Sequence, residues 1–173
     1  FELGLIRNHY VGRTFIEPTQ SIRSLGVKLK LSSTRTIVKN KSIILIDDSL
    51  VRGTTCHKIV KMLYETGAKE VHVRIACPQI KHPDFYGVDM PTEEELLANK
   101  KNINEMRDYI SAKTLKFLSL EGLYSALIDE KRNTNYPQFS DHYFTGDYPI
   151  KPHDNLKGAK VKQLSLLSGK SSN

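Results

Sequence analysis

With 173 residues, 39% apolar and 26% charged, the chain has the length and make-up of one globular domain rather than two. Its longest uninterrupted apolar run is Ile43–Ile46, far short of the roughly 20 residues a spanning helix needs, so neither a transmembrane helix nor a membrane partner is expected. Only Cys56 and Cys77 occur, without CxxC or Cys/His ligand spacing, which argues against a disulfide framework or structural zinc and for a reducing, cytoplasmic setting.

The chain opens on Phe1 rather than Met, with no charged-then-apolar leader, so it reads as a piece of something longer. The net charge of +7 is unevenly placed. Residues 1–42 carry eight Lys/Arg against Glu2 and Glu17, a balance that suits nucleic acid, an anionic surface or a polyphosphate ligand. The Lys-rich end, closing in SLLSGKSSN, reads as a frayed terminus with solvated lysines.

In chain order, Ser42–Asp48 is a short β-branched run ending in two acids, the pattern of a strand buried on both faces of a parallel sheet. A helix follows, with Thr54 or Thr55 as its cap, Ile59, Val60, Met62 and Leu63 on its apolar face, and Gly67 as its C-terminal stop. Glu70–Cys77 alternates, with Val71, Val73 and Ile75 on one face and His72 and Arg74 on the other, which predicts a second strand. Together these make a βαβ unit and an α/β domain.

Two short helices are predicted after the HPDFYG loop, each with a capping box, Thr92 with Glu95 and Asn102 with Glu105. Phe117–Leu120 reads as a further strand and Glu121–Arg132 as a helix with Leu123, Leu127 and Ile128 facing inward. From Asn133 onward Pro, Gly, Asp and aromatic residues predict an irregular segment. Tyr136, Phe139, Tyr143, Phe144 and Tyr148 are read there as packing groups rather than base-stacking ones. The six histidines show no paired spacing and are placed mostly on the surface or in loops, and Cys56 is read as a buried, inert thiol.

The stretch IILIDDSLVRGTT, Ile43–Thr55, joins a strand to a helix start through a short polar loop. Unpaired N–H groups at a helix N-terminus favour a phosphate. Gly53 permits close backbone approach, Ser49, Thr54 and Thr55 add hydroxyl donors, and Arg52 adds positive charge or points to solvent. Asp47 and Asp48 would repel a phosphate, so they need another partner. Sugar hydroxyls and Mg²⁺ suit carboxylates, and the combination describes a ribose 5-phosphate. No GxxxxGK[ST] or GxGxxG string occurs, which weakens NTPase and dinucleotide readings.

An acid-acid pair after a strand, followed by a Gly-Thr turn, resembles the phosphoribosyl pyrophosphate (PRPP) motif of type I phosphoribosyltransferases, and DDSLVRGTT resembles the amidophosphoribosyltransferase version. The strings LGLIRNHYVGRTFIEPTQ, GAKEVHVRIACP, HPDFYGVDMPTEEELLA, FLSLEGL and FTGDYP extend the resemblance from Leu3 to about Pro149. It implies a parallel-sheet type I phosphoribosyltransferase fold over residues 1–132, lacking its first strands, and an irregular C-terminal segment with a basic tail over 133–173.

The resemblance further implies that Asp47 and Asp48 bind ribose hydroxyls and Mg²⁺. Ser49, Leu50, Val51, Arg52, Gly53, Thr54 and Thr55 would hold the 5-phosphate, and residues of about 7–30, around Tyr10, Arg13 and Thr14, would form a loop that closes over PRPP. Arg13 and Lys28 are candidates for the pyrophosphate, with Lys30 as another basic neighbour. The implied reaction makes 5-phosphoribosylamine from PRPP and glutamine-derived ammonia, the first committed step of purine synthesis. The family's glutaminase nucleophile is an N-terminal Cys, where this chain has Phe1, so a glutaminase domain outside these residues is implied. Homo-oligomers and purine-nucleotide inhibition are implied too.

Some members hold an iron-sulfur cluster through cysteines, and the corresponding places here are Asp84, Ser140 and Tyr143, so no cluster is expected. A nucleobase-using phosphoribosyltransferase would share Asp47–Thr55 but lack YVGRTFI and FYGVDMP. A non-catalytic PRPP-sensing regulator that binds nucleic acid would keep the phosphate loop, yet no DNA-binding module is apparent, and nucleic acid is not an expected partner. A truncated, inactive fragment is the remaining alternative.

Overall fold

The computed structural model describes residues 1–7 and 31–150. A two-stranded antiparallel ribbon pairs β1 (Leu5–Arg7) with β2 (Leu31–Ser33), and a short helix α1 (Arg35–Val38) follows it. The central sheet has three parallel strands in sequential order, β3 (Ser42–Asp47), β4 (Glu70–Ile75) and β5 (Thr114–Phe117). Between them run α2 (Thr54–Thr66), a 3₁₀ turn Glu93–Glu95, α3 (Leu97–Lys100) and α4 (Ile103–Tyr109). Helix α5 (Leu120–Ile128) and the short α6 (His142–Thr145) complete the described elements. None of the described helices is long and apolar enough to cross a membrane.

The period-two pattern decides which sheet face is dry. In register, Val73 pairs with Leu45 and Leu115, and Ile75 with Asp47 and Phe117, so one face collects apolar side chains. Cys56, Ile59, Val60 and Leu63 of α2 and Met106 of α4 are buried in the same core as Val71, Val73 and Ile75. Gly67 ends α2 in the left-handed conformation, its N–H bonding back into the last turn.

The opposite face is polar at its centre, where the Thr114 hydroxyl lies 2.9 Å from His72 Nδ1 and accepts from Arg74 at 3.0 Å. β3 is therefore not covered on both sides among the described residues. Ile44 and Ile46 are 63% and 69% exposed, because α2 covers only the face that carries Ile43 and Leu45.

Several local expectations are corrected. The third strand is Thr114–Phe117 rather than Phe117–Leu120, since ladder pairing with His72–Ile75 fixes it and Ser119 is used as the N-cap of α5. That helix ends at Ile128, where Asp129 turns left-handed, and its buried residue is Tyr124 while Leu127 is exposed. Asn102 and Glu105 do form a reciprocal capping box. Thr92 caps nothing with its side chain, so the box is not reciprocal; Glu95 accepts from the Thr92 N–H and also pairs with Arg52.

The segment after Asn133 is mostly irregular but contains α6, and His142 within it is buried, contrary to the surface placement of histidines. Its ring lies between Tyr143 and Tyr148, so the aromatic residues there pack, although Tyr136 is exposed. This segment is fixed by two polar knots. Asp84 accepts from the N–H groups of Tyr86 and Val88 and from the Tyr143 hydroxyl, with His142 Nε2 2.9 Å away. Buried Asp141 accepts from Arg132 and from the Tyr124 hydroxyl, and Arg132 also reaches Asp147.

Candidate functional site

The site lies at the C-terminal end of β3. Asp47 is the last strand residue, and its carbonyl accepts from Ala76 N–H at 2.9 Å, so the strand end is fastened to its neighbour. The chain then bends away. Asp48 N–H donates to Asp47 Oδ1 at 3.1 Å, and the Ser49 hydroxyl donates to Asp48 Oδ1 at 2.7 Å. Leu50 is buried in the core and anchors the loop there.

Gly53, with φ 75° and ψ −10°, is the N-cap of α2, and no side chain caps the helix. The expected cap by Thr54 or Thr55 is therefore corrected: both lie inside the first turn. Glycine takes the cap because the chain must enter the helix through the left-handed region. The consequence is a helix start of thirteen residues whose leading N–H groups have no side-chain acceptor, beside the hydroxyls of Ser49, Thr54 and Thr55.

Burial acts first on Asp47, pushing its carboxyl above the ordinary value against the Asp48 N–H bond, and the Asp48 charge adds to the rise. A half-buried acid beside a second carboxylate thus favours a nearby cation or a hydroxyl donor. Burial, with the Asp47 charge, also pushes the Cys56 thiol up to about 12, the mark of an inert thiol rather than a nucleophile. Cys77, under burial and the charges of Asp48 and Asp47, rises to about 11.

Among the described residues no group of three or more His, Cys, Asp or Glu side chains could enclose a metal ion. Two adjacent carboxylates do fit Mg²⁺, which commonly takes one or two carboxylates and completes its shell with water and substrate phosphate.

Contacts that sequence reasoning missed come from residues 95–109. Leu97 N–H donates to the Val51 carbonyl at 2.9 Å, the Arg52 guanidinium donates to Glu95 Oε2 at 2.9 Å, and Leu97 and Tyr109 press on Gly53. The Glu95 carboxyl is held below its ordinary range by the bond from Arg52 and by that cation's charge. Only the acid-to-base match of Arg52 and Glu95 hinted at this, and the capping-box pattern masked it. The structure brings Asp47–Thr55 together on one sheet edge, whereas Arg13 and Lys28, with the predicted closing loop, lie outside the described residues.

Strand, acid pair, glycine-capped helix and parallel sheet define a type I phosphoribosyltransferase fold. No protein-family model matches the chain. It is 55% identical over 169 residues to the amidophosphoribosyltransferase of Rhizobium etli, covering 97% of this chain and 34% of that protein. It is 48% identical to that of Bacillus subtilis over 96% of this chain and 35% of that protein. A solved glutamine PRPP amidotransferase from B. subtilis, complexed with ADP and GMP, superposes with a TM-score of 0.75 at 49% identity, over 89% of this chain and 34% of that one. The chain belongs to the amidophosphoribosyltransferase family and spans about a third of the length of these relatives.

Proposed function

We propose that these residues are the phosphoribosyltransferase part of an amidophosphoribosyltransferase, a glycosyltransferase forming 5-phosphoribosylamine from PRPP and glutamine-derived ammonia at the entry to purine synthesis. The observation that carries the reading is the Asp47–Asp48 pair set beside a helix start that only Gly53 caps. It offers acceptors for a diol and donors for a phosphate a few residues apart. The domain is assigned to residues 1–132, with 133–173 as a C-terminal segment.

In this reading Asp47 and Asp48 accept from the ribose hydroxyls and hold Mg²⁺, while residues Ser49–Thr55 receive the 5-phosphate. Arg13 and Lys28 face the pyrophosphate. Ammonia nitrogen bonds to C1 of the ribose with inversion as the bond from C1 to the pyrophosphate oxygen breaks. The electron pair leaves with pyrophosphate, and the new ammonium loses a proton. Mg²⁺ supplies charge neutralisation on the leaving group when bound. Basic side chains add to that stabilisation, and closure of the loop of about 7–30 keeps water from the same carbon.

Ammonia comes from a glutaminase domain outside these residues. A homo-oligomer inhibited by purine nucleotides is the assembly proposed, the latter supported by the ADP and GMP bound to the B. subtilis relative. Two free thiols suit a reducing cytoplasm. The test is Asp48→Asn in the full-length native protein. PRPP-dependent phosphoribosylamine synthesis should fall while glutamine hydrolysis continues, and unchanged synthesis would sink the assignment.

A further inference from the structure

Three separate contacts from residues 95–109 converge on the loop between Asp48 and Thr54. The first is the 2.9 Å hydrogen bond from Leu97 N–H to the Val51 carbonyl. The second is the packing of Leu97 and Tyr109 against Gly53, where an added Cβ would stand 2.7 Å and 3.0 Å from their side chains. The third is the 2.9 Å ion pair of Arg52 with Glu95. The turn bearing Glu95 is itself tethered, since Asn99 Nδ2 donates to the carbonyls of Glu93 and Lys81 at 3.0 Å and 2.8 Å.

A carboxylate beside a loop built to receive an anion repels that anion unless a cation neutralises it, so Glu95 at this place needs a compensating task. Its bond to Arg52 supplies one. A long side chain left free would lose rotamer entropy when the loop closes on phosphate, whereas one already held loses less. The anchored turn thereby fixes residue 52 at the side chain, residue 51 at the backbone and residue 53 by packing.

We propose that Glu95 is a positioning residue for the phosphate loop, acting through Arg52 to hold residues 51–53 in their ligand-accepting conformation. This rests on the reading of Asp47–Thr55 as the PRPP site and names a residue that makes that site competent. Glu95 touches no substrate. Its effect is on affinity, not on the chemical step.

The test uses the full-length native protein, with PRPP kinetics and calorimetric binding of ribose 5-phosphate as probe. E95Q should raise the PRPP KM and weaken ribose 5-phosphate binding about 2- to 5-fold, the scale of an exposed ion pair, with kcat unchanged. R52Q should weaken binding as well, and R52Q/E95Q should be no weaker than the worse single variant, because the two residues act as one unit. E65Q, which breaks the exposed Lys61–Glu65 pair on α2, is the control and should change neither constant. An unchanged PRPP KM in E95Q, or a double variant equal to the product of the singles, would overturn the positioning role. Asp48→Asn separates the two readings: if it spares synthesis the PRPP site itself is wrong, and if it abolishes synthesis while E95Q is silent only the role of Glu95 falls.

Discussion

Leu97 fills the space that a β-carbon on Gly53 would need, its Cδ2 lying 2.7 Å from that position. The two residues are far apart in sequence, yet they set the entry to α2 together. Gly53→Ala meets two penalties, a left-handed φ of 75° and overpacking against a buried leucine. The expected cost is about 2–4 kcal/mol, read as a lowered denaturant midpoint. On the proposed reading of the loop as the PRPP site, ribose 5-phosphate affinity should fall with it, because relief of the clash displaces the loop.

Acid should loosen the HPDFYG loop through Asp84. Burial alone would raise this carboxyl, but the N–H groups of Val88 and Tyr86, then Tyr143 and His142, outweigh burial and hold it at about 2. A carboxyl lowered on folding stabilises the native state above its ordinary value of 3.8, and that contribution disappears as pH falls through about 2. Asp84→Asn should therefore be less stable than the parent near neutrality, and the gap should close between those two pH values. Urea midpoints measured at a series of pH values for both proteins check the sign. A constant gap would contradict it.

The knot around Asp141 should be more sensitive still. Burial would raise Asp141, but bonds from Arg132 and Tyr124 hold it below the ordinary range. Arg132→Ala strands that carboxylate, whose side chain is only 4% exposed, and should cost about 3 kcal/mol. Replacing both partners, as in R132M/D141L, should recover much of the loss, since a buried pair and an apolar pair are often near balance. Equilibrium unfolding of both variants beside the parent decides this.

Cys56 should resist alkylation at neutral pH in the folded protein, its thiol being buried and pushed up to about 12. Iodoacetamide labelling followed by peptide mass mapping should find it unmodified until denaturant is added. Rapid native labelling at Cys56 would show that the start of α2 opens readily.

Local pattern made the βαβ centre legible. Val71, Val73 and Ile75 alternate and lie on one buried face, and Gly67 stops α2 where a left-handed residue is needed. The course of the chain from strand through acid pair to helix start was legible for the same reason, because Ile43–Thr55 is one continuous string. Long-range choices were not legible. Thr114–Phe117 became the strand through its register with β4, and Asp129 ended α5 without the glycine that usually signals such an end. Glu95 fitted a helix cap, and nothing local showed that it also pairs with an arginine 43 positions away. The ribbon of Leu5–Arg7 with Leu31–Ser33 joins short segments that no periodicity connects.

The parallel register of β3 also sets where the gene can tolerate a changed reading length. Ile43, Leu45 and Asp47 share one face with Val71, Val73 and Ile75, and the Asp47 carbonyl is fastened to Ala76. Dropping or adding one codon within residues 42–47 would exchange that set for Ile44 and Ile46, turning the core face outward and moving both aspartates off their mark. The same single-codon change in the exposed stretch 133–140 alters no ladder. Length variation among natural versions of this chain should thus gather in that stretch and avoid the strand.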